Sequence, residues 1–168
     1  MKKLLIIVDM QNDFVTGSLA NVAAEQIVNK IANYAKNFDG NIMFTRDTHA
    51  ENYMDTQEGK NLPVPHCIHN TDGWQIVDAL KDIRGIKFNK PTFGSIELAE
   101  ELRRNYADAE IYFVGTCTGI CVLSNAIMAK AFVPEAKIHV IKDLCACISE
   151  ETHETALKAM TLCQIHVI

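Results

Sequence analysis

Residues 4–9 read LLIIVD, five consecutive apolar residues followed by an aspartate. A continuous apolar run of this length is typical of a strand that is buried on both faces of a parallel sheet. It is far shorter than the ~20 residues that span a bilayer, and Asp9 interrupts it with no small-residue cleavage site following. We therefore expect a buried β-strand rather than a signal peptide or a membrane anchor, and a cytoplasmic protein.

Short apolar runs and amphipathic segments alternate along the rest of the chain. The runs predict six strands, at residues 4–8, 41–45, 86–88, 110–114, 137–141 and 164–168. The amphipathic segments predict five helices, at residues 22–35, 74–80 and 121–132, and after the N-caps Ser95 and Ser149. This alternation predicts an α/β protein with three α/β/α layers and a six-stranded, mostly parallel, Rossmann-like sheet, in one domain of residues 1–168.

The composition excludes several classes of function. The chain has 168 residues, of which 48% are hydrophobic and 22% are charged, and these fractions are typical of globular proteins rather than disordered or fibrous ones. The net charge is −5 and no basic run occurs, so nucleic acid and anionic membranes are poor partners. The six cysteines form no Cys-x-x-Cys pair, which favours free thiols in a reducing compartment over a zinc ribbon or a disulfide framework.

Reactive side chains follow the predicted ends of five strands, namely Asp9, Asp47 with His49, Lys90, Cys121 and Asp143. In parallel sheets the ligand crevice lies beyond the carboxyl ends of the strands, so these side chains are expected at one rim. Cys121 is predicted to begin a helix, where the helix N-terminus and a nearby lysine favour the thiolate. Asp9 can accept the thiol proton, and backbone N–H groups at the helix start can bind an oxyanion. These are the parts of acyl transfer by a cysteine nucleophile, and the alternative is a buried structural thiol.

A second polar cluster lies in residues 47–73, a segment too long for a simple connection. It contains Asp47, His49, Glu58 and His66, a mixed set of oxygen and nitrogen donors that suits zinc, manganese or iron. The alternative is a solvated loop in which the histidines make ordinary hydrogen bonds.

Three stretches of sequence resemble the motifs of a known family. Residues 7–14 read IVDMQNDF, residues 90–95 read KPTFGS, and residues 114–122 read VGTCTGICV. In this order, and over essentially the whole chain, the sequence resembles the isochorismatase-like cysteine hydrolases, and among them the nicotinamidase-like branch. The resemblance implies a triad with Asp9 as general base, Lys90 as electrostatic partner and Cys121 as nucleophile. It also implies a cis peptide bond between Thr116 and Cys117 in the nucleophile loop.

The resemblance further implies that the polar cluster is a metal site. Its ligands would be Asp47, His49 and His66, with Glu58 as the variable fourth ligand and Asp55 as its competitor. Zinc is the first candidate, with manganese or iron as alternatives, and the metal would hold the pyridine nitrogen of the substrate.

The reaction that the resemblance implies is hydrolysis of a small carboxamide such as nicotinamide, with a thioester intermediate and release of ammonia. Gly119 stands where the family usually has an acidic residue, which leaves the substrate open. Longer family members have insertions that this chain lacks, so we expect a homo-oligomer in which a neighbouring subunit completes the pocket. The alternatives are an isochorismatase-type hydrolase of another small substrate and a non-catalytic metal-binding homologue.

Overall fold

In the computed structural model, which describes all 168 residues, six strands form one sheet. The strands are β1 (Lys3–Val8), β2 (Asn41–Asp47), β3 (Ile86–Lys90), β4 (Glu110–Thr116), β5 (Lys137–Ala146) and β6 (His166–Val167). The α-helices are α1 (Asn12–Val15), α2 (Val22–Lys36), α3 (Gln57–Asn61), α4 (Ile96–Asn105), α5 (Leu123–Phe132) and α6 (Glu150–Leu162). Two short 3₁₀ turns span Tyr53–Asp55 and Asp78–Leu80, and none of the helices has the length and apolar composition that crossing a membrane requires.

The strand order is β3–β2–β1–β4–β5–β6, and every neighbouring pair is parallel. The predicted α/β fold is therefore confirmed, and the sheet is parallel throughout rather than mostly parallel. From β1, the strands β2 and β3 are added toward one edge of the sheet, and β4, β5 and β6 are added toward the other edge. The strand order therefore reverses between β1 and β4. Segments that leave the carboxyl ends of these two strands diverge to opposite faces, which opens a crevice between them.

The apolar run at residues 4–8 is continuous because β1 lies at the centre of the sheet and is covered on both faces. Leu4 and Ile6 belong to the core beneath α4, α5 and α6, whereas Leu5 and Ile7 belong to the core beneath α2. All four are fully buried, and each such side chain contributes about 1.5–3 kcal/mol to stability. A polar residue within this strand would therefore face a hydrophobic core whichever way it pointed.

Both predicted serine caps are confirmed. The Ser95 hydroxyl accepts a hydrogen bond from the Leu98 N–H group, and the Ser149 hydroxyl accepts one from the Thr152 N–H group. Thr152 completes a capping box at Ser149 by accepting from the serine N–H group. A third cap, Asn21 at the start of α2, was not predicted.

The predicted helix at residues 74–80 is wrong. Only the 3₁₀ turn Asp78–Leu80 is helical there, and Ile76 instead forms an antiparallel bridge with Gln11. The Trp74 carbonyl accepts a hydrogen bond from the Gln11 side chain. This carbonyl is therefore bonded to a distant residue instead of to an N–H group of a helix. The apolar residues that suggested a helix are buried, but they do not form one face of a helix.

The fifth strand is longer than predicted, and this changes the position of Asp143. β5 continues to Ala146, and a register irregularity opposite Phe113–Gly115 lets the strand bend. Asp143 is therefore exposed within the strand instead of following its end, and it does not join the other reactive residues at the rim. The last strand is shorter than predicted, because only His166 and Val167 pair with β5.

We expect Gly115→Ala to destabilise the protein strongly and Gly119→Ala to be tolerated. Gly115 has a φ of 117°, and a Cβ there would collide with the Val8 backbone, whereas a Cβ on Gly119 has only ordinary contacts from 3.5 Å outward. Backbone strain and overpacking together predict a loss of about 2–6 kcal/mol for Gly115→Ala. Urea denaturation of the two variants measures the difference, and equal midpoints would contradict this account of β4.

Candidate active site

A buried ion pair joins the ends of two strands. Asp9 directly follows β1 and Lys90 ends β3, and the Lys90 Nζ lies 2.6 Å from the Asp9 Oδ2, with both side chains fully buried. The Thr45 hydroxyl on the intervening strand β2 donates a 2.6 Å hydrogen bond to the Asp9 Oδ1. Burial raises the pKa of Asp9, and Lys90 opposes this only in part. The Oδ2 atom contacts the Lys90 ammonium group, and its second lone pair can still accept a proton.

The thiol of Cys121 lies against the same ammonium group. Its Sγ is 3.5 Å from the Lys90 Nζ, and Cys121 is almost fully buried. Cys121 lies within a π-helical turn, Thr118–Val122, and α5 begins only at Leu123, two residues later than predicted. The three residues of the implied triad are thus brought together at the crevice. The neighbouring Lys87, in contrast, is exposed.

The protonation state of Cys121 differs from the sequence expectation. Burial raises the pKa of the thiol well above its usual value, and the Asp9 carboxylate raises it further, while Lys90 lowers it less. The expectation that a helix N-terminus stabilises the thiolate is therefore wrong for the resting protein. Cys121 is the fourth residue of its turn and faces a carboxylate, so it is held as a neutral thiol.

The loop before Cys121 has the backbone geometry that the resemblance implies. The peptide bond between Thr116 and Cys117 is cis. The Cys117 carbonyl accepts hydrogen bonds from the N–H groups of Ile120 and Val122, at 3.0 and 3.1 Å. These bonds close the turn that presents Cys121 to the ion pair.

Asn125 holds the Cys121 turn to the loop that follows Lys90, and sequence reasoning missed it. Its side-chain amide donates to the carbonyls of Cys121 and Phe93, and its oxygen accepts from the Ser95 N–H group, all within 3.0 Å. A polar residue four positions after Cys121, one helical turn away on a buried helix, was the signal that could have found it.

The four predicted metal ligands converge on one point. One donor atom each from Asp47, His49, Glu58 and His66 lies within 4.8 Å of all the others. The Asp47 Oδ2 is 2.8 Å from the His49 Nε2 and 3.3 Å from the His66 Nε2, and the Glu58 Oε1 is 3.6 Å from both. The competitor Asp55 is exposed and is not part of this group.

The hydrogen bonding of His66 shows that this group suits a cation. The His66 Nδ1 lies 2.8 Å from the Val64 carbonyl, which can only accept, so this nitrogen carries a proton. In neutral His66 the Nε2 then has a lone pair, and it faces carboxylate oxygens of Asp47 and Glu58. Acceptors that face one another are satisfied only by a proton or a cation between them, and second-partner bonding of this kind orients metal-binding histidines.

Polar residues of the first motif support both clusters. The Gln11 side chain donates to the Asp47 carbonyl and accepts from the Asp47 N–H group, each at 2.8 Å, and this fixes the start of the metal-site loop. The Asp13 carboxylate accepts a 2.7 Å hydrogen bond from the Cys67 N–H group, next to His66. Polar residues directly after a buried strand were visible in the sequence, but their partners were not.

Two further histidines lie near the crevice without joining the metal group. His153 is partly buried, and its Nδ1 lies 2.8 Å from the Thr118 hydroxyl of the Cys121 turn. His69 is exposed, and its ring meets the edge of Trp74.

This fold and this arrangement of residues define a class of protein. The sequence matches the isochorismatase domain over residues 3–168, and the chain belongs to that family. Among curated relatives, the nicotinamidase of Saccharomyces cerevisiae is 31% identical, over 76% of this chain and 81% of the relative. An uncharacterised isochorismatase family protein of Bacillus subtilis is 29% identical, over 94% and 93% of the two chains.

Solved structures give the same assignment. The pyrazinamidase of Pyrococcus horikoshii in complex with zinc superposes with a TM-score of 0.85 at 29% identity, and covers 100% of this chain and 99% of its own. The pyrazinamidase/nicotinamidase of Streptococcus mutans superposes with a TM-score of 0.86 at 29% identity, over 99% and 100% of the two chains.

The charges around Cys121 predict opposite effects of two substitutions on its reactivity. Asp9→Asn removes a negative charge beside the thiol, so the pKa of Cys121 falls and iodoacetamide should alkylate it about tenfold faster at a fixed, mildly alkaline pH, the equivalent of one pKa unit. Lys90→Met removes the positive charge and should slow alkylation. Mass spectrometry of Cys121 measures both rates, with circular dichroism as the check on folding. Equal rates in the two variants would show that these charges do not control the thiol.

Proposed function

We propose that this protein hydrolyses the amide C–N bond of a small aromatic carboxamide such as nicotinamide and releases ammonia. The observation that carries the proposal is the contact of the Cys121 Sγ with the Lys90 Nζ, which in turn contacts the Asp9 carboxylate. A thiol, a cation and a base within one buried group are the requirements of nucleophilic acyl transfer. The nicotinamidase and pyrazinamidase relatives support the same class of reaction and of substrate.

In the mechanism that we propose, Asp9 accepts the proton of the Cys121 thiol as the sulfur attacks the amide carbon. Lys90 stabilises the developing thiolate, and we assign stabilisation of the oxyanion to the backbone of the Thr116–Cys117 loop. Asp9 then delivers the proton to the amide nitrogen, the C–N bond breaks, and ammonia leaves a thioester on Cys121. Asp9 next removes a proton from water, which attacks the thioester, and the acid is released as the thiol re-forms.

The raised pKa of Asp9 suits this role. A carboxylate that is a stronger base than usual takes a proton from a thiol more readily. The thiol is protonated at rest, so the nucleophile forms at the moment of attack. This arrangement keeps a reactive thiolate from persisting between turnovers.

Asp47, His49, Glu58 and His66 would hold a divalent ion beside this group. Zinc is the first candidate because of the donor set and the zinc complex of the Pyrococcus horikoshii relative, and manganese or iron are alternatives. When bound, the ion supplies a coordination position for the pyridine nitrogen of the substrate and so orients the carboxamide. Asp47 also contacts the Lys90 Nζ at 3.5 Å, so the metal ligands and the triad are one connected structure.

Two alternative functions are less well supported. An isochorismatase-type hydrolase does not require a thiol, so that function does not account for the contact between Cys121 and Lys90. A non-catalytic metal-binding homologue would have no reason to keep a desolvated Asp9–Lys90 pair, which is costly to bury. The predicted homo-oligomer stays a prediction, which light scattering can test.

Replacing the nucleophile tests the proposed reaction. Cys121→Ala should lower the turnover of nicotinamide by about 10³–10⁶-fold, because loss of a nucleophile removes the covalent route. The exposed thiol of Cys163 provides the matched control, since Cys163→Ala should keep full activity. An ammonia-release assay measures both variants. Near-normal hydrolysis by Cys121→Ala would remove Cys121 from the mechanism.

Replacing a metal ligand tests the proposed ion and its role. His49→Ala should lose bound metal and raise the KM for nicotinamide, while the exposed His69 provides the matched control, with His69→Ala keeping its metal. Benzamide lacks the ring nitrogen, so its KM should change less, and the preference for nicotinamide over benzamide should shrink. Elemental analysis and kinetics measure these effects. A metal-free wild-type protein that hydrolyses nicotinamide at its full rate would contradict the metal site.

A further inference from the structure

Tyr53 lies in the segment that carries the predicted metal ligands, and the proposed reaction assigns it no role. It is only 1% exposed. Its ring centroid is 4.8 Å from that of His49 and 5.0 Å from that of His66, and the two histidine rings are 4.9 Å apart. The three rings therefore form a compact triangle, in which each pair meets edge to face at an angle of 67° or 72°.

This triangle orients the two histidine rings. Edge-to-face contact is a favoured geometry for aromatic rings, so each ring restricts the rotation of the other two. The His66 ring is also held by the contact of its Nδ1 with the Val64 carbonyl. The side-chain hydrogen bond of His49 is made instead by its Nε2, the atom that faces Asp47. The orientation of His49 therefore depends more on its packing against Tyr53.

Tyr53 also closes the loop that carries Glu58. Its hydroxyl donates a 2.8 Å hydrogen bond to the Leu62 carbonyl, and its own carbonyl accepts a 2.6 Å bond from the Thr56 hydroxyl. The Thr56 hydroxyl in turn accepts a 3.0 Å bond from the Gly59 N–H group at the start of α3. Residues 53–62 are thus tied into one small unit, and Glu58 belongs to it.

Gly59 shows how closely α3 lies on the backbone of Tyr53. A Cβ built on Gly59 would collide with the Tyr53 carbonyl oxygen and would lie 2.9 Å from the Met54 Cα. These are backbone atoms, so the helix could accept a side chain at this position only by moving away. The absence of a side chain at residue 59 therefore sets the position of the neighbouring Glu58 relative to Tyr53.

We infer that Tyr53 is a positioning residue of the metal site. Its ring orients His49 and His66, and its hydroxyl and carbonyl hold the loop that presents Glu58. The inference rests on the proposed metal site, and it assigns the arrangement of three of the four ligands to one residue outside the ligand set. Partners that orient metal ligands contribute to metal affinity as well as to coordination geometry.

Zinc affinity tests the inference directly. The zinc-loaded, full-length protein is titrated with a chromogenic chelator, and the dissociation constant is obtained from the competition. We expect Tyr53→Leu to bind zinc about 10–100-fold more weakly than the wild type, which is typical of losing a partner that orients ligands. Tyr53→Phe keeps the ring and loses only the bond to Leu62, so its affinity should fall by less than about tenfold.

Tyr106 provides the matched control. It is also a buried tyrosine, and its hydroxyl accepts a hydrogen bond from Asn41 at the start of β2, whereas Asp47 ends that strand. Tyr106→Leu should therefore lower the stability of the protein and leave its zinc affinity unchanged.

Cobalt(II) in place of zinc reports the coordination geometry through its visible absorption bands, which a general loss of stability does not change. The bands should differ in intensity between the wild type and Tyr53→Leu, and Tyr106→Leu should reproduce the wild-type spectrum.

A double-mutant cycle tests the loop separately. Gly59→Ala should weaken zinc binding because α3 moves Glu58 away from the other ligands. In the background of Glu58→Gln the same substitution should have much less effect, since the affected ligand is already altered. If Tyr53→Leu does not fold, this cycle decides the inference.

The inference is wrong if Tyr53→Leu keeps the wild-type zinc affinity and cobalt spectrum, or if Tyr106→Leu loses as much affinity. An effect of Gly59→Ala that is the same with and without Glu58→Gln would also contradict it. A wild-type protein that binds neither zinc nor cobalt would overturn the metal site and this inference together. The proposed hydrolysis is tested separately by ammonia release, so its failure is not confused with these results.

Discussion

The ammonium group of Lys90 is buried away from water, so its charge must be balanced by anionic and polar groups of the crevice. Its Nζ lies 2.6 Å from the Asp9 carboxylate, 3.5 Å from the Asp47 carboxylate and 3.1 Å from the Thr92 carbonyl. Removing one partner of such a buried pair costs about 3–5 kcal/mol, because the remaining charge is left unpaired. The ends of β1, β2 and β3 are therefore held in one relative position by electrostatics as well as by the sheet.

This constraint connects the two clusters of the crevice through Asp47. One of its oxygens contacts Lys90, and the other lies between His49 and His66. Burial alone would raise the pKa of Asp47, but hydrogen bonds from the two histidines, together with Lys90, hold it well below its usual range. Asp47 therefore stays ionised and offers charge to a cation on one side and to Lys90 on the other. A change of charge in the metal site therefore alters the electrostatic environment of Lys90, and a change at Lys90 alters that of the metal site, because Asp47 contacts both.

The sequence predicted the elements of the fold better than it predicted contacts. The run at residues 4–8 and the serine caps are local signals, and they correctly gave the central strand and two helix starts. Residues 74–80 were misassigned because the partner of Ile76 is Gln11, 65 positions away, and no local pattern encodes such a pairing. The convergence of Asp47, His49, Glu58 and His66 agrees with the set that the family resemblance implied. The bond of Asn125 to the Cys121 carbonyl spans one helical turn, but its bonds to Ser95 and Phe93 join distant segments and could not be read from spacing.

The thiol of Cys121 shows why position at a helix start is not sufficient to predict chemistry. The dipole of a short turn contributes a partial charge, whereas Asp9 contributes a full negative charge in a buried site, and burial penalises the thiolate further. Cys147 lies only beyond the next strand end, yet hydrogen bonds from Cys117, Thr152 and the backbone lower its pKa. The surroundings at this rim therefore raise the pKa of one thiol and lower the pKa of another. Burial, the charge of the nearest side chain and the hydrogen bonds to the sulfur set the direction in which the pKa of each thiol moves, so a position near a helix start is not sufficient to predict it.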